Sequence, residues 1–160
     1  MAFGHRLAGS EAFRTMFREG MALVEETASY LDGDGRRDSR RLPRAASLSY
    51  ATESMRLTTR LMQLASWLLL QRAVNDGDMS MDQANHERAK VKLGGLSSAT
   101  EGPGWDGLPG RLRELIGRSL ALQERVVRLD QAVRDPPPAV ADNPVAREIG
   151  RIAAAFGTAT

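Results

Sequence analysis

The chain has 160 residues and a mass of 17.5 kDa, which fits one domain with a sizeable hydrophobic core. Hydrophobic residues make up 42% of it and charged residues 26%, as is ordinary for a soluble globular protein. The 22 Lys and Arg residues nearly balance the 20 Asp and Glu residues, and this argues against a dedicated polyanion-binding protein. The sequence has no cysteine, which excludes disulfides, thiol catalysis and cysteine-based metal sites, and its two histidines are too few for a histidine-rich metal site.

We expect a flexible N-terminus over residues 1–9, because this segment is too short and mixed in character for a signal peptide. The longest apolar stretch, Leu61 to Leu70, is interrupted by Gln63 and Ser66. A membrane-spanning helix needs about 20 apolar residues. The sequence therefore predicts a cytoplasmic protein without a membrane span.

The first predicted helix runs from Ser10 to Leu31 and is expected to end at Gly33 and Gly35. Its apolar residues recur at spacings of three and four, which is typical of an amphipathic helix: Phe13, Met16, Phe17, Met21, Val24, Ala28 and Leu31. Gly20 lies inside this helix and costs about 1 kcal/mol relative to alanine. Its presence there predicts a close crossing with another helix.

A polar loop is predicted from Asp32 to Arg44. It contains five arginines: Arg36, Arg37, Arg40, Arg41 and Arg44. Such a cluster contacts phosphates or acidic protein surfaces, or it remains solvated. No aromatic residues are interleaved with these arginines and no recognition-helix pattern adjoins them. A nucleic acid is therefore the less favoured partner, and a protein partner or none remains.

The second predicted helix runs from about Ala45 to Asn75. One of its stripes consists of Leu48, Ala51, Met55, Thr58, Met62, Ala65 and Leu69. A second face is also apolar and is predicted to form a dimer or core contact: Leu61, Leu64, Trp67, Leu68 and Leu70. A helix that is apolar on every side must be buried on every side. Either a second copy or another segment of this chain must therefore cover it.

The remaining predicted elements follow a turn at Asn75–Gly77. Ser80 and Gln83 have the spacing of a capping box, which predicts a short helix near 80–93, followed by a loop from Gly94 to Leu108 that contains Trp105. The last helix runs from Pro109 to Arg134. It has a heptad pattern that is typical of a helix face packed against other helices: Leu112, Leu115, Ser119, Leu122, Val126, Leu129 and Val133.

The residues after the last helix form a predicted tail. Prolines 136–138 end the helix, and residues 136–160 are expected to be largely disordered. One apolar helical stripe stands out in this tail, and we call it the tail island: Val145, Ile149, Ile152 and Phe156. Such a stripe is typical of a helix that binds a groove, either on a partner or on its own bundle. No strand pattern occurs, so the chain is predicted to be an all-α, antiparallel three-helix bundle over residues 10–135 with a flexible C-terminal tail.

Catalytic chemistry is not indicated by any residue pattern. His5 lies near the terminus, and His86 lies in a charged helix with no acidic residue fixed beside it. The run Asp32–Gly35 lacks the ligand spacing of a calcium-binding loop. We therefore predict no enzyme activity, no cofactor, no metal site and no small-molecule substrate.

Two stretches are distinctive as whole helices: FREGMALVEETA at Phe17–Ala28 and YATESMRLTTRLMQLASWLLLQRAV at Tyr50–Val74. In these stretches the chain resembles the RcdA family of alphaproteobacteria, the regulators of CtrA degradation, which also carries a domain-of-unknown-function label. The resemblance is strong over residues 10–93 and looser over the last long helix.

The resemblance implies a compact three-helix bundle that dimerises and takes part in regulated proteolysis. Family members act as non-enzymatic adaptors that help to deliver cell-cycle regulators to the ClpXP protease primed by CpdR, often at the cell pole. The tail island and the five arginines at 36–44 are then the candidate partner-binding residues. The alternative is a DNA- or RNA-associated regulatory protein that uses the arginines.

Overall fold

The structure is a computed structural model that describes residues 10–91, 93, 98 and 100–134. Over these residues the chain forms six helices and no strand, which confirms the predicted all-α bundle. The helices are α1 (Glu11–Asp32), α2 (Asp34–Arg40), α3 (Arg44–Asn75), α4 (Met81–Arg88), α5 (Pro103–Asp106) and α6 (Gly110–Arg134). The long helices α1, α3 and α6 pack against one another as a three-helix bundle.

Helix α1 runs antiparallel to α3 and α6. Helices α3 and α6 run parallel, because Arg60 contacts Ser119 and Trp67 contacts Asp130. The long connection between α3 and α6 makes this parallel course possible. It returns the chain along α3, with α4 near Gln71 and α5 near the start of the helix.

The core lies between the three long helices and includes the predicted heptad row of α6. On α1 it differs from the prediction, because only Phe13 and Met16 of the predicted apolar row are buried, whereas Leu23 and Tyr30 lie on the buried face. All seven heptad positions of α6 are buried. Four residues of α1 and five of α3 meet them: Phe13, Met16, Leu23, Tyr30, Leu57, Leu61, Leu64, Trp67 and Leu68. The tight crossing predicted at Gly20 is confirmed, because a Cβ atom there would lie 2.7 Å from Leu68 Cδ1 and 3.5 Å from Leu122 Cδ2.

A ladder of ion pairs joins α1 to α6 along the outside of the bundle. Glu26 accepts hydrogen bonds from Arg118 at 2.6 Å and from Arg111 at 3.2 Å, and Glu19 pairs with Arg125 at 2.5 Å. The arginines recur every seven residues, which places them on one side of α6. The hydrogen bonds from Arg118 and Arg111 lower the pKa of Glu26 to about 2, although desolvation acts in the opposite direction.

The predicted polar loop 32–44 was the main error in the local structure. Helix α1 ends at Asp32 with Gly33 as its cap, but Asp34–Arg40 then forms α2. Gly35 does not end a helix; it lies where a Cβ atom would be 2.5 Å from Tyr50 Oη and 2.7 Å from the Tyr30 carbonyl oxygen. Tertiary packing on these tyrosines therefore stabilises a helix that has no apolar pattern of its own.

The connection between α3 and α6 also differs in detail from its prediction. The capping box is confirmed, since Ser80 Oγ accepts from the Gln83 amide and Gln83 Oε1 accepts from the Ser80 amide, both at 3.1 Å. The helix that follows ends at Arg88 rather than near residue 93. The predicted loop Gly94–Leu108 contains the short helix α5, which Pro103 begins.

Candidate protein-interaction surfaces

An apolar stripe on α3 faces solvent along the whole helix. Its large members recur every seven residues and are strongly exposed: Leu48 at 65%, Met55 at 72%, Met62 at 66% and Leu69 at 51%. The small residues Ala51, Thr58 and Ala65 lie between them on the same face. We call these seven residues the α3 stripe. An exposed apolar row of this length is typical of a contact with another helix.

The other apolar face of α3 lies inside the bundle. Leu61, Leu64, Trp67 and Leu68 are buried and Leu70 is half-buried. Segments of this chain thus cover the face that the sequence assigned to a dimer or a core, and the connection between α3 and α6 contributes to that cover. The solvent-facing surface of α3 is instead the α3 stripe, whose residues were also identified from the sequence.

A groove of about 340 Å³ lies between α1 and α3, beside the α3 stripe. Its walls are mainly apolar, with Asp32 at one end: Val24, Thr27, Ala28, Leu31 and Asp32 on α1, and Thr58, Leu61, Met62 and Ala65 on α3. Thr27 Oγ1 is buried there and has no hydrogen-bond partner among the described residues. The groove is the seam where these two helices meet, and among the described helices no third one lines it.

The arginine cluster is divided between paired and unpaired side chains. Arg36 lies 3.7 Å from Asp32, and Arg37 lies 3.0 Å from Asp34. In the described part of the chain, no ion pair involves Arg40, Arg41 or Arg44. These three exposed arginines lie at the end of α2 and the start of α3, close to the Leu48 end of the α3 stripe.

A hydrogen bond fixes α2 on the bundle beneath these arginines. Tyr30 Oη donates to Asp38 Oδ2 at 2.8 Å. Burial, this hydrogen bond and the negative charge of Asp38 raise the pKa of Tyr30, so the phenol stays neutral at physiological pH. Arg36, Arg37 and Arg40 are therefore presented on a fixed helix, while Arg41 follows that helix and Arg44 begins α3.

Two buried arginines were missed by sequence reasoning. Arg60 on α3 donates to Ser119 Oγ at 2.9 Å and to Ser98 Oγ at 2.8 Å. Arg88 on α4 lies 5.4 Å above the Trp67 ring and donates to Gln71. Desolvation lowers the pKa of both guanidiniums, but arginine stays protonated in proteins. The two side chains attach the connection between α3 and α6 to the bundle.

The sequence offered little sign of these roles, because a single arginine in an apolar helix face is usually read as solvated. The one usable signal was the apolar surroundings of Arg60, between Leu57, Leu61 and Leu64. Nothing comparable surrounds Arg88 in the sequence. Neither residue lines an open cleft, so both serve the fold.

Other candidate chemistry is not assembled over the described ranges. No group of three or more His, Asp or Glu residues there could hold a metal ion. His86 is exposed on α4, while His5 lies outside the described residues. In the same part of the chain no helix has both the length and the apolar content to cross a membrane. The tail island also lies outside the described residues.

Comparison with known proteins identifies the family. The family model "Protein of unknown function (DUF1465)" matches residues 4–156. The crystal structure of RcdA from Caulobacter crescentus CB15 is similar at 52% sequence identity and a TM-score of 0.64, covering 78% of this chain and 92% of that one. No curated protein matches the sequence. The resemblance seen in the two long helices is confirmed, and the chain belongs to the RcdA (DUF1465) family.

Proposed function

We propose that this protein is a non-enzymatic adaptor that helps to deliver cell-cycle regulators to the ClpXP protease primed by CpdR. The observation that carries the proposal is the α3 stripe, where one helix exposes Leu48, Met55, Met62 and Leu69 at 51–72% of their surface. An apolar row this long on a family member of this kind supports a role in protein binding. Cytoplasmic location, with recruitment to the cell pole, is part of the same proposal.

Adaptor activity needs surfaces rather than a reactive centre. An adaptor that holds a weak substrate beside a protease converts substrate recognition into an intramolecular step, with an effective concentration in about the millimolar range. Two separate surfaces are needed, one for the protease complex and one for the cargo. The α3 stripe is apolar, and Arg40, Arg41 and Arg44 form a basic group beside its Leu48 end, so the two adjoining surfaces differ in chemistry.

The arginines are proposed to contact an acidic protein surface. Arg40, Arg41 and Arg44 are exposed and, within the described residues, carry no ion pair that a partner would have to break. The same arginines support the alternative function, binding to DNA or RNA. The lack of aromatic residues interleaved with these arginines weighs against that alternative.

Self-association is proposed through the α3 stripe. A stable dimer buries about 800 Å² on each partner, and a long exposed helix face can supply much of that area. We expect Met55→Asp to abolish the dimer in sedimentation equilibrium, because it places a carboxylate in an apolar contact. The matched control is Ala121→Asp, which puts the same charge on an exposed position of α6. If the dimer dissociation constants of the two variants were equal, the α3 stripe could not be the dimer interface.

The function itself is tested by reconstituted proteolysis. Purified ClpXP, CpdR and a candidate cell-cycle regulator are incubated with ATP, and the loss of the regulator is followed with and without the full chain. We expect faster loss with the chain and a smaller effect for a variant with Arg40, Arg41 and Arg44 changed to Glu. The Ala121→Asp variant serves as the folded control.

The competing outcomes separate the two functions. No acceleration with any regulator would contradict the adaptor proposal. Duplex DNA binding that weakens steeply with salt, and that the triple arginine variant loses, would support the nucleic-acid alternative.

A further inference from the structure

The groove between α1 and α3 is bounded by two helical rows of apolar side chains. Those on α1 recur at spacings of four and three and are exposed or half-buried: Phe17, Met21, Val24, Ala28 and Leu31. Those on α3 belong to the α3 stripe. Because α1 and α3 are antiparallel neighbours, Val24, Ala28 and Leu31 of the first row face Thr58, Met62 and Ala65 of the second across the groove, with Leu61 on its floor. This geometry accepts one more amphipathic helix, as ridges of one helix pack into the groove between two others.

The rest of the chain contains a segment with the matching pattern. The tail island has apolar residues at spacings of four, three and four from Val145 to Phe156. As a helix this segment would be about 17 Å long. The residues of α1 that line the groove, Val24 to Asp32, extend over about 12 Å by the same rise per residue. The segment is too short to be a stable helix alone, so it needs an apolar surface.

The position of the last described residues brings this segment within reach. Helix α6 ends at Arg134, at the same end of the bundle as Trp67 and the start of α1, since Asp130 accepts from Trp67 Nε1 at 2.7 Å. Residues 135–144 can span about 33 Å when extended. That distance is about the width of three helices. It suffices to pass around α1 or α3 to the groove.

We infer that residues 145–156 pack as a helix into the groove between α1 and α3 of the same chain. Ile149 and Ile152 then contact the walls at Ala28 and Ala65, where small side chains leave room for large ones. A tethered segment meets this groove at an effective concentration in about the millimolar range. A second copy of the chain at ordinary concentrations competes poorly with such a segment.

The α3 stripe and the groove share Thr58, Met62 and Ala65. Of the strongly exposed residues of the stripe only Met62 lines the groove, and Leu48, Met55 and Leu69 lie outside its lining. Met55 variants consequently test the dimer, whereas Ala28 variants test the docked tail.

A regulatory consequence rests on the proposed adaptor function. When the tail island is docked, its apolar face is covered, and a partner that binds this face must wait for it to open. The apparent affinity for that partner is the intrinsic affinity multiplied by the open fraction. An island that is open one-tenth of the time binds its partner about tenfold more weakly than a permanently open one.

The test is hydrogen exchange measured by mass spectrometry on the full chain. We expect amides 145–156 to be protected, and Ala28→Arg to accelerate their exchange about tenfold or more. The matched control is Ala22→Arg, at an exposed position of α1 outside the groove, which should leave the protection unchanged. Peptides of α6 in the same digests show whether each variant is folded.

Three results would overturn the inference. They are fast exchange of 145–156 in the unaltered chain, equal protection in the Ala28→Arg and Ala22→Arg variants, and protection that rises with protein concentration. The last result would assign the groove to a second copy. None of them depends on ClpXP, so this inference and the adaptor proposal can fail separately: loss of delivery with normal protection of the island contradicts only the proposed function.

Discussion

Gly20→Ala tests the packing of all three long helices at one point. The added methyl group would lie 2.7 Å from Leu68 Cδ1 and 3.5 Å from Leu122 Cδ2. Leu68 is fully buried, so its side chain has little space to move aside. The matched control is Gly117→Ala in the middle of α6, where nothing lies within 4 Å of the new Cβ atom.

The expected free energies follow from two terms. Replacing glycine by alanine inside a helix stabilises it by about 1 kcal/mol, and this term is common to both variants. Overpacking a full core costs about 1–3 kcal/mol, and this term applies only at Gly20. Gly117→Ala should therefore stabilise the protein. Gly20→Ala should lie about 1–3 kcal/mol below Gly117→Ala in its free energy of unfolding.

Urea unfolding followed by far-ultraviolet circular dichroism measures both variants under the same conditions. A third measurement introduces Gly20→Ala into a Leu68→Ala background, where the clash is gone and the helix-propensity gain should return. Equal stabilisation by Gly20→Ala and Gly117→Ala in the unaltered background would refute the tight crossing.

Three further changes probe the polar contacts. The pKa of Glu26 lies near 2, below its usual 4.5, so its contribution is complete above about pH 4.5 and disappears as the pH falls towards 2. Glu26→Gln should lower the free energy of unfolding by only about 1 kcal/mol at pH 7, since the side chain is 38% exposed and solvent screens the pairing. Measured by urea unfolding, the stability of this variant should depend less on pH between about 2 and 4.5 than that of the unaltered protein. The same pH dependence in both proteins would contradict this. Arg88→Ala should cost about 2–4 kcal/mol and change Trp67 fluorescence, whereas Arg88→Met, which keeps the packing on the ring, should cost less. Trp67→Phe should lower the free energy of unfolding by about 1–3 kcal/mol, because it removes the hydrogen bond of 2.7 Å from Trp67 Nε1 to Asp130. A melting temperature equal to that of the unaltered protein would contradict a stabilising role for this hydrogen bond.

The sequence predicts most of the bundle because its long helices are regular. The heptad row of α6 identifies its buried face, whereas the predicted apolar row of α1 agrees with the buried face only at Phe13 and Met16. All three long helices are found within a few residues of their predicted bounds. Tight packing at Gly20 was also foreseeable, since a glycine inside a good helix needs a reason.

Features that depend on distant contacts were not predictable in the same way. Helix α2 has no apolar period and forms because Gly35 fits against Tyr30 and Tyr50, which are close only in the folded chain. The parallel course of α3 and α6 is decided by the long connection between them, and its attachment through Arg60 and Arg88 is invisible to periodicity. For the same reason the sequence identified both apolar faces of α3 but could not say which of them the chain itself covers.

The ion-pair ladder and Gly20 together determine the register of α1 against α3 and α6. Arg111, Arg118 and Arg125 repeat every seven residues, as do Glu19 and Glu26. A slip of α1 by one heptad would therefore still match glutamate with arginine, and the ladder by itself tolerates two alignments. Such a slip would bring Phe13 or Thr27 to the place of Gly20, where even one Cβ atom is too close to Leu68. The charges thus allow two alignments of α1, and Gly20, which has no side chain, selects one of them.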